Sequence, residues 1–139
     1  METKAIKMIN SLPAAYMDVK NAERAERLFG NADLIAMWNE TKKAVSEYGF
    51  TAEIVCIYDV ADEIDINFAI IDNNGEDQGY AEYNYTDANG VRVLREEMFT
   101  PYPGRNSEYE AKVNAMEAIR NAQKEFAKKF NFVFESFNE

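Results

Sequence analysis

Apolar side chains recur in this chain with two different periods. They follow helical spacing up to about residue 49, strand-like runs with a period of two from 50 to about 99, and helical spacing again from 107 onward. Ala5, Ile6, Ile9 and Leu12 form a first helical stripe that Pro13 interrupts. Residues 18–29 resume a helix-favouring run rich in Ala, Glu and Arg, stopped by Gly30. Asn31 is placed to cap the next helix, whose stripe carries Leu34, Trp38, Thr41, Val45 and Tyr48, with Met37 and Ala44 beside it, before Gly49 ends it. Trp38, the single tryptophan, reads as a core anchor at mid-stripe.

Beyond Phe50 the period is two. Residues 52–58 are apolar and β-branched, 59–63 form a polar turn, and Ile64, Ile66, Phe68 and Ile70 alternate with Asp65, Asn67 and Ala69. Asn74-Gly75 and Asn89-Gly90 each separate strand-like runs, and both residue types accept the left-handed backbone of a tight hairpin. Four antiparallel strands in meander order follow from this. Pro101 and Pro103 break the sheet, and Ser107 with Glu110 has the spacing of a capping box. The helix it predicts carries Ala111, Ala115, Ala118, Ile119, Ala122, Phe126 and Phe130 on one narrow stripe, suited to close packing on a sheet face. The tail, with Phe132, Phe134 and Phe137, reads either as a short last strand or as an aromatic clamp.

The expected fold class is α+β: N-terminal helices, a four-stranded antiparallel meander, and a long C-terminal helix packed on one sheet face. A length of 139 residues suits one domain over 1–139, with a helical segment at 1–30 and a helix-meander-helix core at 31–139. Composition agrees, since 47% hydrophobic and 13% aromatic content is far from the signature of disorder. No apolar run approaches the ~18 residues of a membrane span, and the first residues lack a signal pattern, so a cytoplasmic protein is expected.

The chain has no histidine and one cysteine. Ser-His or Cys-His catalysis, imidazole proton transfer and zinc sites built on histidine or several thiolates are therefore excluded. Cys56, inside an apolar run, reads as a small buried hydrophobe. Walker, GxGxxG and EF-hand patterns are missing, and no cofactor is expected.

Charge is distributed unevenly. Residues 57–110 hold thirteen acidic side chains against three basic ones (Arg92, Arg95, Arg105), a balance of −10 that equals the net charge of the whole chain. Tyr58, Tyr80, Tyr83, Tyr85, Tyr102 and Tyr109 fall in the same interval. Solvation of a sheet face accounts for much of such a block. The sharper reading is a carboxylate-studded, tyrosine-bearing face that occupies a basic groove on another protein, with free nucleic acid repelled. The partner-binding candidates are Asp65, Tyr80, Glu82, Glu96 and Glu97.

Gly79-Tyr80-Ala81, the hairpin through Asn89-Gly90, and Asn106-Ser107-Glu108-Tyr109-Glu110-Ala111 resemble the second strand, third strand and first catalytic helix of ribonuclease H-like proteins. Asp72 stands where that family keeps its first metal-binding Asp, and Glu108 matches the helix carboxylate. The resemblance implies a magnesium-dependent phosphodiesterase using Asp72, Glu108 and Glu110. The segment Glu110-Ala111-Lys112 to Ala115 is similar to the second helix of double-stranded RNA-binding domains, but Glu108 and Glu110 stand where those domains carry phosphate-clamping lysines.

In size, charge and missing catalytic motifs the chain resembles small acidic bacteriophage accessory proteins, including anti-CRISPR proteins and DNA mimics. That implies a non-catalytic inhibitor of a nucleic-acid-binding or defence protein in a host cytoplasm. A self-assembling protein, associating through residues 1–30 and the Phe-rich tail, is the remaining alternative.

Overall fold

The computed structural model describes residues 2–13 and 17–137. Residues 14–16, part of the segment read above as helical, lie outside the described residues. The elements run α1 (Lys4–Asn10), β1 (Met17–Asp18), α2 (Ala22–Phe29), α3 (Leu34–Ser46), β2 (Thr51–Val60), β3 (Glu63–Ile71), β4 (Asp77–Ala88), β5 (Val91–Pro101), α4 (Asn106–Lys129) and β6 (Val133–Glu135).

The first three helices start on capping side chains. Thr3, Asn21 and Asp33 each accept a hydrogen bond from the backbone N–H three residues on, at 3.2, 2.9 and 2.9 Å. Asp33 takes the capping role expected of Asn31, because the Ala32 N–H is still bonded to the Phe29 carbonyl at 2.7 Å. The expected Ser107–Glu110 capping box does not form. Helix α4 starts behind Arg105 with no side-chain cap bond, and both residues are exposed in its first turn.

Among the described residues the sheet has six strands in sequence order, β1-β2-β3-β4-β5-β6. The central four form an antiparallel meander, while β1 runs parallel to β2 and β6 parallel to β5. The four-stranded, wholly antiparallel expectation is corrected to a mixed six-stranded sheet. Strands of two and three residues leave no readable period; they form because the meander offers unpaired edges. Residues 18–29 are accordingly not one helix. Their first part pairs with β2, and the Lys20 N–H and Arg24 guanidinium both bind the Asp59 carboxylate. At the β4–β5 turn, Asn89 and Gly90 have φ of 57° and 82°, the left-handed pair that a two-residue hairpin requires.

The four helices among the described residues lie on one side of the sheet core. Ile64, Ile66, Phe68 and Ile70 of β3, with Ala81, Tyr83 and Tyr85 of β4 and Leu94 of β5, face them and are fully buried. Leu34, Met37, Trp38, Thr41 and Val45 supply the α3 contact, with Trp38 tilted against Phe68. Tyr48, expected on this stripe, falls beyond the helix end and is exposed. Helix α4 buries Ala115, Met116, Ile119, Gln123, Phe126 and Ala127, a face rotated from the alanine stripe so that Ala111, Ala118, Ala122 and Phe130 are only half-buried. Gly79 permits its close approach, since a Cβ there would stand 2.9 Å from the Met116 sulfur. The tail is both alternatives at once. Val133–Glu135 is a strand, and Phe132 packs its ring on Tyr85 and Phe126 at 6.0 and 5.6 Å.

One charge pair lies inside this core. The Glu96 side chain is fully buried; it accepts from Arg120 Nη2 at 2.8 Å and Nε at 3.1 Å, from the Tyr83 hydroxyl at 2.6 Å and from the Phe137 N–H at 3.1 Å. Arg120 → Met removes the cation beside a buried carboxylate and is expected to cost about 3–5 kcal/mol in urea unfolding. Adding Glu96 → Gln should recover most of that loss; two costs that simply add would show that the residues do not depend on each other.

Candidate functional site

The face of the sheet turned away from the helices is built by alternation and by bulges; besides one at the Ile70–Ile71 end of the β3–β4 pair, two alter which side chains face outward. Residues opposite one another across the strands form rows: Tyr58–Asp65–Asn84–Arg95, then Cys56–Asn67–Glu82–Met98, then Glu53–Ala69–Tyr80–Thr100. The pairing shifts between Ile54 and Cys56 on β2 and between Glu82 and Tyr83 on β4, leaving Val55 and Glu97 as the extra residues. The first bulge turns Cys56 outward. It is half-buried, accepting from Asn67 Nδ2 at 3.1 Å, and so is not the buried core residue expected from the sequence.

The second bulge separates neighbouring glutamates. Asp65, Tyr80 and Glu82 share the outward face as expected, and Glu97 stands at its margin, 3.7 Å from Arg95. Glu96 does not belong with them, because it faces the core and its carboxylate is consumed by Arg120, Tyr83 and Phe137. The same surface carries residues absent from the expected set, among them Glu53, Tyr58, Glu63, Asn67 and Asn84. Their signal was the alternation itself, which puts Glu63 and Asn67 in step with Asp65, and Asn84 in step with Glu82.

Short side chains in the middle of this face are shielded by longer neighbours. Asp65, Asn67 and Asn84 are 6%, 0% and 2% exposed. Asn84 Nδ2 donates to Asp65 at 2.6 Å and to Glu63 at 2.7 Å, bridging two carboxylates. Burial pushes the Asp65 carboxyl up; the Asn84 bond opposes this, and the charges of Glu63 and Glu97 add to it. Glu82 is raised by burial, then by Asp65 and Glu97. Tyr80 is pushed up to about 12 by burial, with Cys56, Tyr58 and Glu82 adding. At Tyr58 the Asn67 amide acts downward, but burial with Glu82 and Asp65 outweighs it and the phenol is raised.

Every one of these shifts disfavours negative charge. Buried acids elsewhere are treated differently: Asp59 has Arg24, and Glu96 has Arg120. Among the described residues neither Asp65 nor Glu82 has an ion-pair partner, because Arg95 is turned to Glu135 at 2.8 Å and to Glu97. Beside Arg95 a concavity of about 460 Å³ is lined by Glu97, Glu135 and Phe137.

The alternative metal trio is not assembled. Asp72 closes its own turn, accepting from the Asn74 and Glu76 N–H groups at 2.8 and 2.9 Å and from Gln78 Nε2 at 2.8 Å. Those bonds, with the Glu76 N–H foremost, hold its carboxyl below the usual range. Glu108 and Glu110 are exposed at the start of α4, and no three acidic or cysteine side chains among the described residues are arranged to hold a metal ion.

A second concavity, about 700 Å³, lies between α3 and α4 over Ala36, Met37, Ala118 and Ala122. Its rim mixes Asp33, Glu40 and Glu125 with Lys128 and Lys129, so it selects no sign of charge. No helix among the described residues is long and apolar enough to cross a membrane. Comparison of the chain with protein-family models, with curated proteins and with solved structures gives no match.

The raised carboxyls fix a sign for the effect of pH. In the interval between its unfolded and its raised folded pKa, each of Asp65 and Glu82 holds more protons folded than unfolded, so stability falls as pH rises through that interval. Their cost is complete above the folded pKa and relieved below the unfolded one. Asp65 → Asn is therefore expected to raise the melting temperature at pH 7, with a smaller gain at pH 4. A loss that is larger at pH 7 than at pH 4 would mean that Asp65 is favourably held as an anion and would overturn this reading.

Proposed function

We propose that this protein is a non-catalytic macromolecule-binding protein whose outward sheet face occupies a basic surface of a partner, in the manner of a nucleic-acid mimic. The supporting observation is the concentration of Glu53, Glu63, Asp65, Glu82 and Glu97 on one side of the sheet, where the strand residues include one base, Arg95, already shared between two glutamates. Successive outward residues on a strand are about 7 Å apart. The result is a spaced array of negative charge on a rigid support, and its association with a cationic groove is driven by release of counterions. A nucleic-acid-binding or defence protein is the class of partner such an array fits. Direct contact with DNA or RNA is opposed by the net charge of −10.

Tyr58 and Tyr80 add apolar area with polar tips, the composition that interfaces favour over plain solvated surface. Capture from a host-cell lysate on the immobilised protein should retain basic, nucleic-acid-binding proteins at about 50 mM salt and release them by about 200–300 mM. The triple variant Glu63 → Lys, Glu82 → Lys, Glu97 → Lys should abolish retention while leaving the circular dichroism spectrum unchanged. Retention equal to that of the native chain would rule out this face as the binding surface.

A further inference from the structure

Two polar atoms at the centre of the outward face have no hydrogen-bond partner among the described residues: Asn67 Oδ1 and Asn84 Oδ1, both on residues at least 98% buried. Leaving such an acceptor unpaired costs about 1–3 kcal/mol, so each calls for a donor. The Nδ2 groups of the same residues are engaged, Asn67 with Cys56 and Asn84 with Asp65 and Glu63. Unpaired acceptors therefore accompany carboxylates that lack a cation. Glu82 is the direct cross-strand neighbour of Asn67 and lies two residues from Asn84 on β4, and among the described residues it has neither a hydrogen-bond donor nor an ion pair. Tyr58 and Tyr80 stand diagonally across Asn67, one on β2 and the other on β4.

We infer that the centre of this face is a receptor for one arginine side chain of the partner. Asp65 and Glu82 serve as its carboxylates, the Asn67 and Asn84 carbonyl oxygens as further acceptors, and the Tyr58 and Tyr80 rings as flanking surfaces. This rests on the reading of the face as a surface for a basic protein, and makes that reading specific. A guanidinium presents five N–H donors in a plane and stacks on aromatic rings, matching several acceptors bounded by two phenols. A lysine ammonium brings three donors and no plane, and would leave acceptors unpaired. On binding, the side chains around the two asparagine oxygens move apart, and Glu82, the cross-strand neighbour of Asn67, turns with the incoming cation as one of its ligands. The chain already pairs its other buried acids with guanidinium groups, from Arg24 and Arg120; here the guanidinium comes from the partner.

The test is an NMR titration of the isotopically labelled full chain with two short capped peptides, one alternating Gly with Arg and the other Gly with Lys. The Arg peptide should bind about fivefold or more tightly than the Lys peptide. It should also shift the Asn67 and Asn84 side-chain amide signals. Tyr80 → Leu, which keeps every charge, should weaken the Arg peptide about threefold or more and leave the Lys peptide unchanged. If that variant is poorly folded, Glu82 → Gln serves instead, with the same preferential loss of Arg binding. Equal, salt-sensitive binding of both peptides overturns the arginine receptor while leaving the acidic-surface reading intact. Failure of both peptides to bind at low salt overturns both, and an Arg preference without movement of the Asn67 and Asn84 signals overturns this location.

Discussion

The contact between α4 and the sheet depends on a carboxylate that water cannot reach. Glu96, on the inner face of β5, is satisfied only when Arg120 of α4, the Tyr83 hydroxyl of β4 and the Phe137 N–H of the tail all converge on it. One buried charge thereby ties together two strands, the long helix and the chain's last described segment. Arg120 also lies over the Phe99 ring at 4.0 Å, so the same side chain closes the apolar boundary around the pair. Burial and the adjacent Glu96 charge push the Tyr83 phenol well up, and burial does the same at Tyr85, whose hydroxyl is taken by Gln123 at 2.5 Å. These bonds make the register of α4 on the sheet specific in a way that apolar contact alone does not.

The two faces of the sheet treat charge in opposite ways. Inside, each buried acid is matched by a guanidinium, and the core around it is apolar. Outside, Arg95 is taken by Glu97 and Glu135, Asp65 and Glu82 have no ion-pair partner among the described residues, and every resolved shift at the strand carboxyls and phenols there runs toward the neutral form. Stability alone does not favour such a surface, and the cost of holding it falls on the folded state by itself. Binding to a cationic surface would relieve it, which links the local electrostatics to the proposed function through the free energy that a partner would recover.

Much of the architecture was legible because it rests on period and punctuation. The alternation Ile64, Ile66, Phe68, Ile70 specifies β3, the Asn89-Gly90 turn specifies the β4–β5 hairpin, and the α3 stripe through Leu34, Trp38 and Val45 lies buried as its spacing predicts. The misreadings have a common cause. Asn31, Ser107 and Glu110 have residue types suited to capping, but the helix starts are fixed by neighbouring contacts, such as the Ala32 N–H bonded to Phe29. Strand β1 exists because β2 has a free edge to pair with, which no local pattern encodes; β6, one of the two readings of the tail, takes the free edge of β5 in the same way.

The candidate surface divides in the same way. Local pattern is enough to gather the acidic residues on the meander and to put Asp65, Tyr80 and Glu82 out of phase with the core, because side chains on a strand must alternate. Packing of the whole chain turns Glu96 inward and Glu97 outward, brings Cys56 to the outer face, and buries Asn67 and Asn84 at its centre. The reason is the bulge. One extra residue in a strand reverses the facing of everything beyond it relative to its neighbour, and whether it forms depends on how α4 and the adjacent strands pack.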